Sequence, residues 1–222
     1  MKDKKRRGIF ITFEGPDGSG KTTQIKFLAN FLKQKGYKVS LTREPGGTKI
    51  GEKIRKILLS PSSSGMTNLC EFLLYAAARA QHVNEKILPL LKKGGVVLSD
   101  RFSDSSYAYQ GKGRGIEIKF IEYINKTVTR NLVPDITFLL SVKPDKGLKR
   151  VKKRVASLSK TKTDRLENEK ISFHRRVMKG YFEVAKKYPE RFVVIPAGLS
   201  IKQTSKIIIK NLIQRGIING DS

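Results

Sequence analysis

At 222 residues, with 38% hydrophobic and 29% charged side chains, the chain suits one compact domain with a sizeable core. No apolar run approaches the roughly 18 residues of a membrane span, and the apolar stretch after the basic opening Met1 to Arg7 is too short for a secretion signal. The formal charge of +27 admits either a nucleic-acid binder or an enzyme of polyanionic substrates.

In chain order, short apolar β-rich runs near Ile9-Phe13, Lys38-Thr42, Val96-Ser99, Ile136-Leu140 and Phe192-Ile195 alternate with helical patterns. The helical patterns run from about Lys21 to Lys35, Thr67 to Lys93 and Ile116 to Thr129, and again after Ile171 and Ile201; Gly36 and Gly94-Gly95 end the first two. Continuous apolar strands with helices between them predict an α/β fold, a parallel sheet covered on both faces. The Ser/Lys/Thr-rich stretch from Ala156 to Thr163 has no apolar period and reads as a loop between helices, so residues 1–222 form one domain with a basic tail at 1–7 and a lid at about 145–170. Ten basic residues fall between Lys143 and Arg165, and others scatter along the predicted helices as Lys33, Lys35, Lys53 and Lys56. Scatter favours a solvated basic surface over a nucleic-acid stripe. The single cysteine, Cys70, excludes an internal disulfide, suits a reducing compartment and reads as a small packed residue.

Two motifs carry chemistry. Gly15-Pro16-Asp17-Gly18-Ser19-Gly20-Lys21-Thr22 fits G-x-x-x-x-G-K-[ST] and sits between a strand and a helix start. Its glycines turn backbone N–H groups toward a polyphosphate, Lys21 reaches the β- and γ-phosphates, and Thr22 offers a hydroxyl to Mg²⁺; Thr23 completes the nucleotide loop. Gly95 to Arg101 is an apolar strand ending in a carboxylate, Asp100, where such a fold places its acidic magnesium partner. His82 and His174 read as ordinary helix residues.

Six features in order resemble the thymidylate kinase family: Phe13-Glu14-Gly15, Arg43-Glu-Pro-Gly-Gly-Thr48, Tyr75-Ala-Ala-Ala-Arg79, Asp100-Arg101-Phe102, Ser105-Ser-Tyr-Ala-Tyr-Gln-Gly111 and Asp164-Arg165-Leu-Glu167. The resemblance covers residues 9 to 213. It implies a P-loop nucleoside-monophosphate kinase fold with a five-stranded parallel sheet of order 2-3-1-4-5, a mobile lid, a homodimer and a cytoplasmic enzyme. The implied reaction moves the γ-phosphate of ATP onto dTMP with Mg²⁺ and no covalent intermediate. It further implies that Arg43 and Arg101 hold the acceptor phosphate, that Tyr75 stacks on thymine where the family usually has phenylalanine, and that Arg79 donates to the base. Ser105, Ser106 and Gln110 fall beside the base, Tyr109 beside the sugar C2′, and Asp17 by the 3′-hydroxyl. Gly18 stands where one form of the family has a P-loop arginine, so the transition-state cation is expected from the lid, from Arg150, Arg154 or Arg165, with Arg154 preferred. A kinase of another monophosphate or of a deoxynucleoside on the same scaffold, and a nucleic-acid-dependent P-loop ATPase, are the competing readings.

Overall fold

The computed structural model describes residues 8–142, 144–157 and 164–220, without the side chains at 152, 154, 155 and 157. The basic tail 1–7 and residues 158–163 of the expected loop therefore lie outside the described residues, and so does the side chain of Arg154.

Five strands, β1 (Ile9–Glu14), β2 (Val39–Arg43), β3 (Val96–Asp100), β4 (Ile136–Leu140) and β5 (Phe192–Ile195), form one parallel sheet in the order β2-β3-β1-β4-β5, as the family resemblance implies. Central β1 pairs Ile11 with Leu98 on one side and with Ile136 on the other. Strands β2 and β3 lie on one side of β1 and β4 and β5 on the other, and the crevice beyond the carboxyl end of such a strand is where these sheets bind ligands. Side chains alternate across β1. Ile11 and Phe13 join the core under α1 (Lys21–Gln34), which packs against α9 (Ile201–Gln214), whereas Phe10 faces the opposite helical layer. The same period turns Glu14 to the Phe10 side, fully buried.

Three elements escaped the periodicity reading, one of them α7 (Pro144–Ser157), which takes in Ala156 at the start of the expected loop. Helix α2 (Lys49–Leu59) starts at Thr48, whose hydroxyl accepts from the Gly51 amide at 3.0 Å. After β3, the short α5 (Ser103–Ser106) opens into a π-helical stretch, Tyr107–Gly113. The long helix predicted over 67–93 is instead α3 (Asn68–His82), a π turn at Val83–Ile87 and α4 (Leu88–Lys92). Cys70, expected to be packed, is exposed on the first turn of α3, because the buried stripe there runs through Glu71 and Phe72.

The remaining helices are α6 (Ile118–Val128), α7 (Pro144–Ser157) and α8 (Ile171–Lys187). The π-helical stretch packs closely on α8: a Cβ at Gly180 would stand 2.9 Å from the Cα of Ala108. This contact fixes Tyr109 and Tyr181 against each other, ring centroids 6.2 Å apart, beneath the open end of the sheet.

Candidate active site

A cleft of about 1360 Å³ opens over the carboxyl ends of β1, β2 and β3. One end is the P-loop. Gly20 enters α1 in left-handed backbone, and Lys21 folds back to donate to the Gly15 and Pro16 carbonyls at 2.9 and 3.0 Å. Those carbonyls occupy the ammonium that the motif assigns to phosphate, so the loop is wound around its own cation. Burial, and after it the Arg101 guanidinium, pull the Lys21 ammonium below the ordinary lysine range. Gly18 has φ 74°, and a Cβ there would lie 2.4 Å from the Gly147 carbonyl of α7; Arg150 of the same helix donates to the Gly18 carbonyl at 3.1 Å. Helix α7 thus rests directly on the loop. Asp17, Gly18, Gly20, Lys21, Thr22 and Thr23 line the cleft, whereas Ser19 turns its hydroxyl inward, buried and without a hydrogen-bond partner.

Thr22 and Asp100 meet, hydroxyl to carboxylate, at 3.1 Å. Two hard oxygen donors side by side at the P-loop suit Mg²⁺, which keeps several waters and takes its remaining ligands from phosphates. Among the described residues no group of three or more His, Cys, Asp or Glu side chains converges.

The other end is cationic and aromatic. Arg101 sits at φ 73°, an uncommon conformation for a side-chain-bearing residue. Its guanidinium donates to Asp17 at 2.9 Å, Tyr181 at 2.8 Å and Tyr109 at 3.2 Å. Burial works against the charge of Arg101, yet the oxygens of Tyr109, Tyr181, Asp17 and Asp100 hold it firmly protonated. Burial likewise pushes the Asp17 carboxyl up, but Arg101 and Lys21 outweigh it and hold the group at about 2. Asp17 is therefore an anion at neutral pH. Burial raises the phenols of Tyr75 and Tyr109, which stay neutral. Arg43 reaches the cleft from the end of β2, half-exposed and bridged to Glu52 at 3.0 Å.

Arg55, absent from the sequence reading, joins this wall and donates to the Pro45 carbonyl at 2.9 Å. Its i, i+3 spacing from Glu52 on α2, opposite Arg43, was the available signal.

Three expected residues stand elsewhere. Arg79 is 1% exposed and makes four hydrogen bonds, to Glu44, Ser106, Asn125 and the Phe102 carbonyl. Ser106 is buried as its acceptor, so both lie behind the cleft wall rather than on it. Arg165 donates to Glu71 at 2.6 Å and to the Leu58 carbonyl at 3.1 Å, which ties its segment to α3 and α2. Gln110 does reach the cleft, anchored by its amide to the same Glu71 at 2.9 Å. Ser105 and Tyr75 also line it.

A profile of the family described as thymidylate kinase matches residues 13–208. A thymidylate kinase of Lactobacillus acidophilus is 50% identical over 210 residues, 94% of this chain and 95% of that protein. One from Pelobacter propionicus is 45% identical over 212 residues, 96% of this chain and 97% of its own. The crystal structure of thymidylate kinase from Ehrlichia chaffeensis superposes with a TM-score of 0.74 at 37% identity, covering 93% of this chain and 98% of that one.

Proposed function

The chain belongs to the thymidylate kinase family and is a dTMP kinase that uses ATP; on that premise we propose that transfer is direct and in line, assisted by Mg²⁺, without a phospho-enzyme. The observation that carries this reading is one cleft with a P-loop at one end and Arg43, Arg101, Tyr75 and Tyr109 at the other. ATP lies along Gly15 to Thr23, where Lys21 exchanges its loop carbonyls for phosphate oxygens. Thr22 and Asp100 would hold Mg²⁺, the ion supplying charge neutralisation at the donor phosphates.

Arg101 and Arg43 grip the acceptor phosphate with forked N–H donors, which fixes its direction and offsets repulsion between two anions. Tyr75 stacks on thymine and Gln110 recognises its edge, while Tyr109 fills the space of a ribose 2′-hydroxyl. Asp17 meets the sugar and stays ionised, and no general base is needed, because the acceptor phosphate, with a second pKa near ~6, is already mostly dianionic at neutral pH. The segment from about 145 to 170 closes as a lid, and Arg150, already on the P-loop, is the described lid arginine placed to reach the donor phosphates. Two copies pair through an apolar face that includes exposed Leu69 and Leu73 of α3 and Phe120 of α6, a state that a sedimentation mass near twice 25.0 kDa tests. The exposed single thiol suits a cytoplasmic setting.

The test is ADP release with ATP and Mg²⁺ on dTMP, dUMP, dCMP, dGMP and dAMP offered separately. Strong preference for dTMP is expected. Turnover of only another monophosphate, or only in the presence of DNA, overturns the substrate assignment.

A further inference from the structure

We propose that Glu14 is the positioning residue for Arg101: its buried carboxylate fixes both the left-handed turn and the hydroxyl pair from which the guanidinium reaches the acceptor phosphate. The proposal rests on the assignment of that phosphate to Arg101.

Three hydrogen bonds clamp the peptide units around Arg101. Its own amide donates to the Phe13 carbonyl at 2.9 Å, its carbonyl accepts from Ser99 Oγ at 2.7 Å, and the next amide, Phe102, donates to Glu14 Oε1 at 2.7 Å. Backbone at φ 73° persists for arginine only where the surroundings over-determine it, and here a β1 carboxylate does so from the neighbouring strand.

The second carboxylate oxygen acts on the side chain. Glu14 Oε2 accepts from Ser105 Oγ at 2.6 Å and from Tyr181 Oη at 2.9 Å. A hydroxyl has one proton to give, so each group that donates to Glu14 presents only lone pairs to its other neighbour. For both hydroxyls that neighbour is Arg101, whose Nη1 lies 2.8 Å from Tyr181 Oη and 3.4 Å from Ser105 Oγ, and the two oxygens also stand 2.9 Å from each other. Ionised Glu14 thus sets the polarity of both hydroxyls toward the guanidinium. A protonated Glu14 donates to one of them, whose own proton then turns to the other hydroxyl or toward the guanidinium, and the negative charge facing Arg101 is lost.

The charged and titratable groups facing Glu14 are Asp104 of α5, Arg101 beyond β3, Lys21 of the P-loop, Tyr181 of α8, and Arg191, which is paired with Asp104 at 2.6 Å. Burial first, and Asp104 second, push the carboxyl up to about 7. The switch in hydroxyl polarity therefore falls near neutral pH.

The experiment measures KM for dTMP and for ATP, with kcat, across neutral pH for wild type, Glu14→Gln, Glu14→Leu and Arg101→Ala. Glutamine keeps an acceptor for the Phe102 amide but cannot take both hydroxyl protons; its dTMP KM is expected to rise about tenfold with ATP KM held within about twofold. In wild type the dTMP KM falls as pH rises through about 7, more steeply than in Glu14→Gln, where only ionisation of the substrate phosphate remains. Glu14→Leu loses the amide acceptor too and raises dTMP KM further; if it fails to fold, Glu14→Gln decides alone. A Glu14→Gln variant that matches wild type in dTMP KM at every pH, or that raises both KM values equally, overturns the proposal. If Arg101→Ala leaves dTMP KM unchanged, the phosphate assignment itself fails; if Arg101→Ala raises it and Glu14→Gln does not, only the positioning role fails.

Discussion

At Arg101 and Glu14 the chain holds a strained backbone, a largely buried cation and a buried carboxylate within one hydrogen-bonded cluster, and each of these opposes folding. The sign for Glu14 follows from its proton affinity. The folded carboxyl keeps its proton up to about 7, while an unfolded glutamate loses its proton near 4.5, so between these limits the native state binds more protons and stability falls as pH rises. His174 acts oppositely in an overlapping range: burial lowers its pKa, so its contribution is lost as pH falls below about 6.5. The difference between proteins isolates Glu14. Thermal melts of Glu14→Gln should gain on wild type as pH rises from about 5 to about 8, because the amide never ionises; a constant Tm difference over that range contradicts this. The P-loop residues were legible in the sequence because their chemistry demands glycines, a lysine and a hydroxyl at fixed local spacing. Glu14 was quoted only as part of a motif. Its partners Ser105 and Tyr181 lie 91 and 167 residues away, and no local pattern carries that distance.

Elements follow the same division. Strands β1, β3 and β4 stood out because a strand buried on both faces is a continuous apolar run, and β1 to β5 fall within a residue or so of the predicted spans. Both π-helical stretches were invisible, since a wider turn leaves the 3.6-residue period without replacing it by another recognisable one. The second of these carries Tyr109 and Gln110 into the cleft, and both were reached through the Ser105 to Gly111 motif rather than through any helical period. Arg79 shows the opposite failure. Its motif is local, but its hydrogen-bond partners Glu44, Ser106 and Asn125 come from distant segments and draw it behind the wall. Glu71 joins three elements: Gln110 from the π-helical stretch, Arg114 just beyond it, and Arg165 from the segment ahead of α8. Burial pushes this carboxyl up, and the donors from Gln110, Arg114 and Arg165 more than reverse that, so it remains an anion. Removing it strands two arginines in a largely buried setting. Glu71→Ala is expected to lose about 3 kcal/mol in urea unfolding and to raise dTMP KM through the freed Gln110; a loss below about 1 kcal/mol with unchanged KM contradicts the shared-anchor reading.

For the molecule as a whole, 46 lysines and arginines against 19 acidic residues leave like charges close together over much of the surface. Several acidic groups are already committed to inner pairs, Glu44 with Arg79, Glu71 with Arg165 and Asp104 with Arg191, which leaves fewer anions to balance the exterior. Self-repulsion in the compact state then opposes folding, and salt relieves it. Calorimetry from low to roughly 0.2 M NaCl should show Tm rising by on the order of several degrees, since the screening length shrinks below about 10 Å; a falling Tm places the balance with exposed attractive pairs such as Lys187 with Glu122. Charge sets the conditions under which the domain is most stable, whereas the βαβ order and the motif spacing set what it does. Cys70, solvent-facing on the first turn of α3 and adjacent to Glu71, is the chain's sole thiol. A maleimide fluorophore therefore attaches at one chemically unique position beside Glu71, and its emission in the unmutated protein reports on the surroundings of the Gln110, Arg114 and Arg165 cluster during turnover.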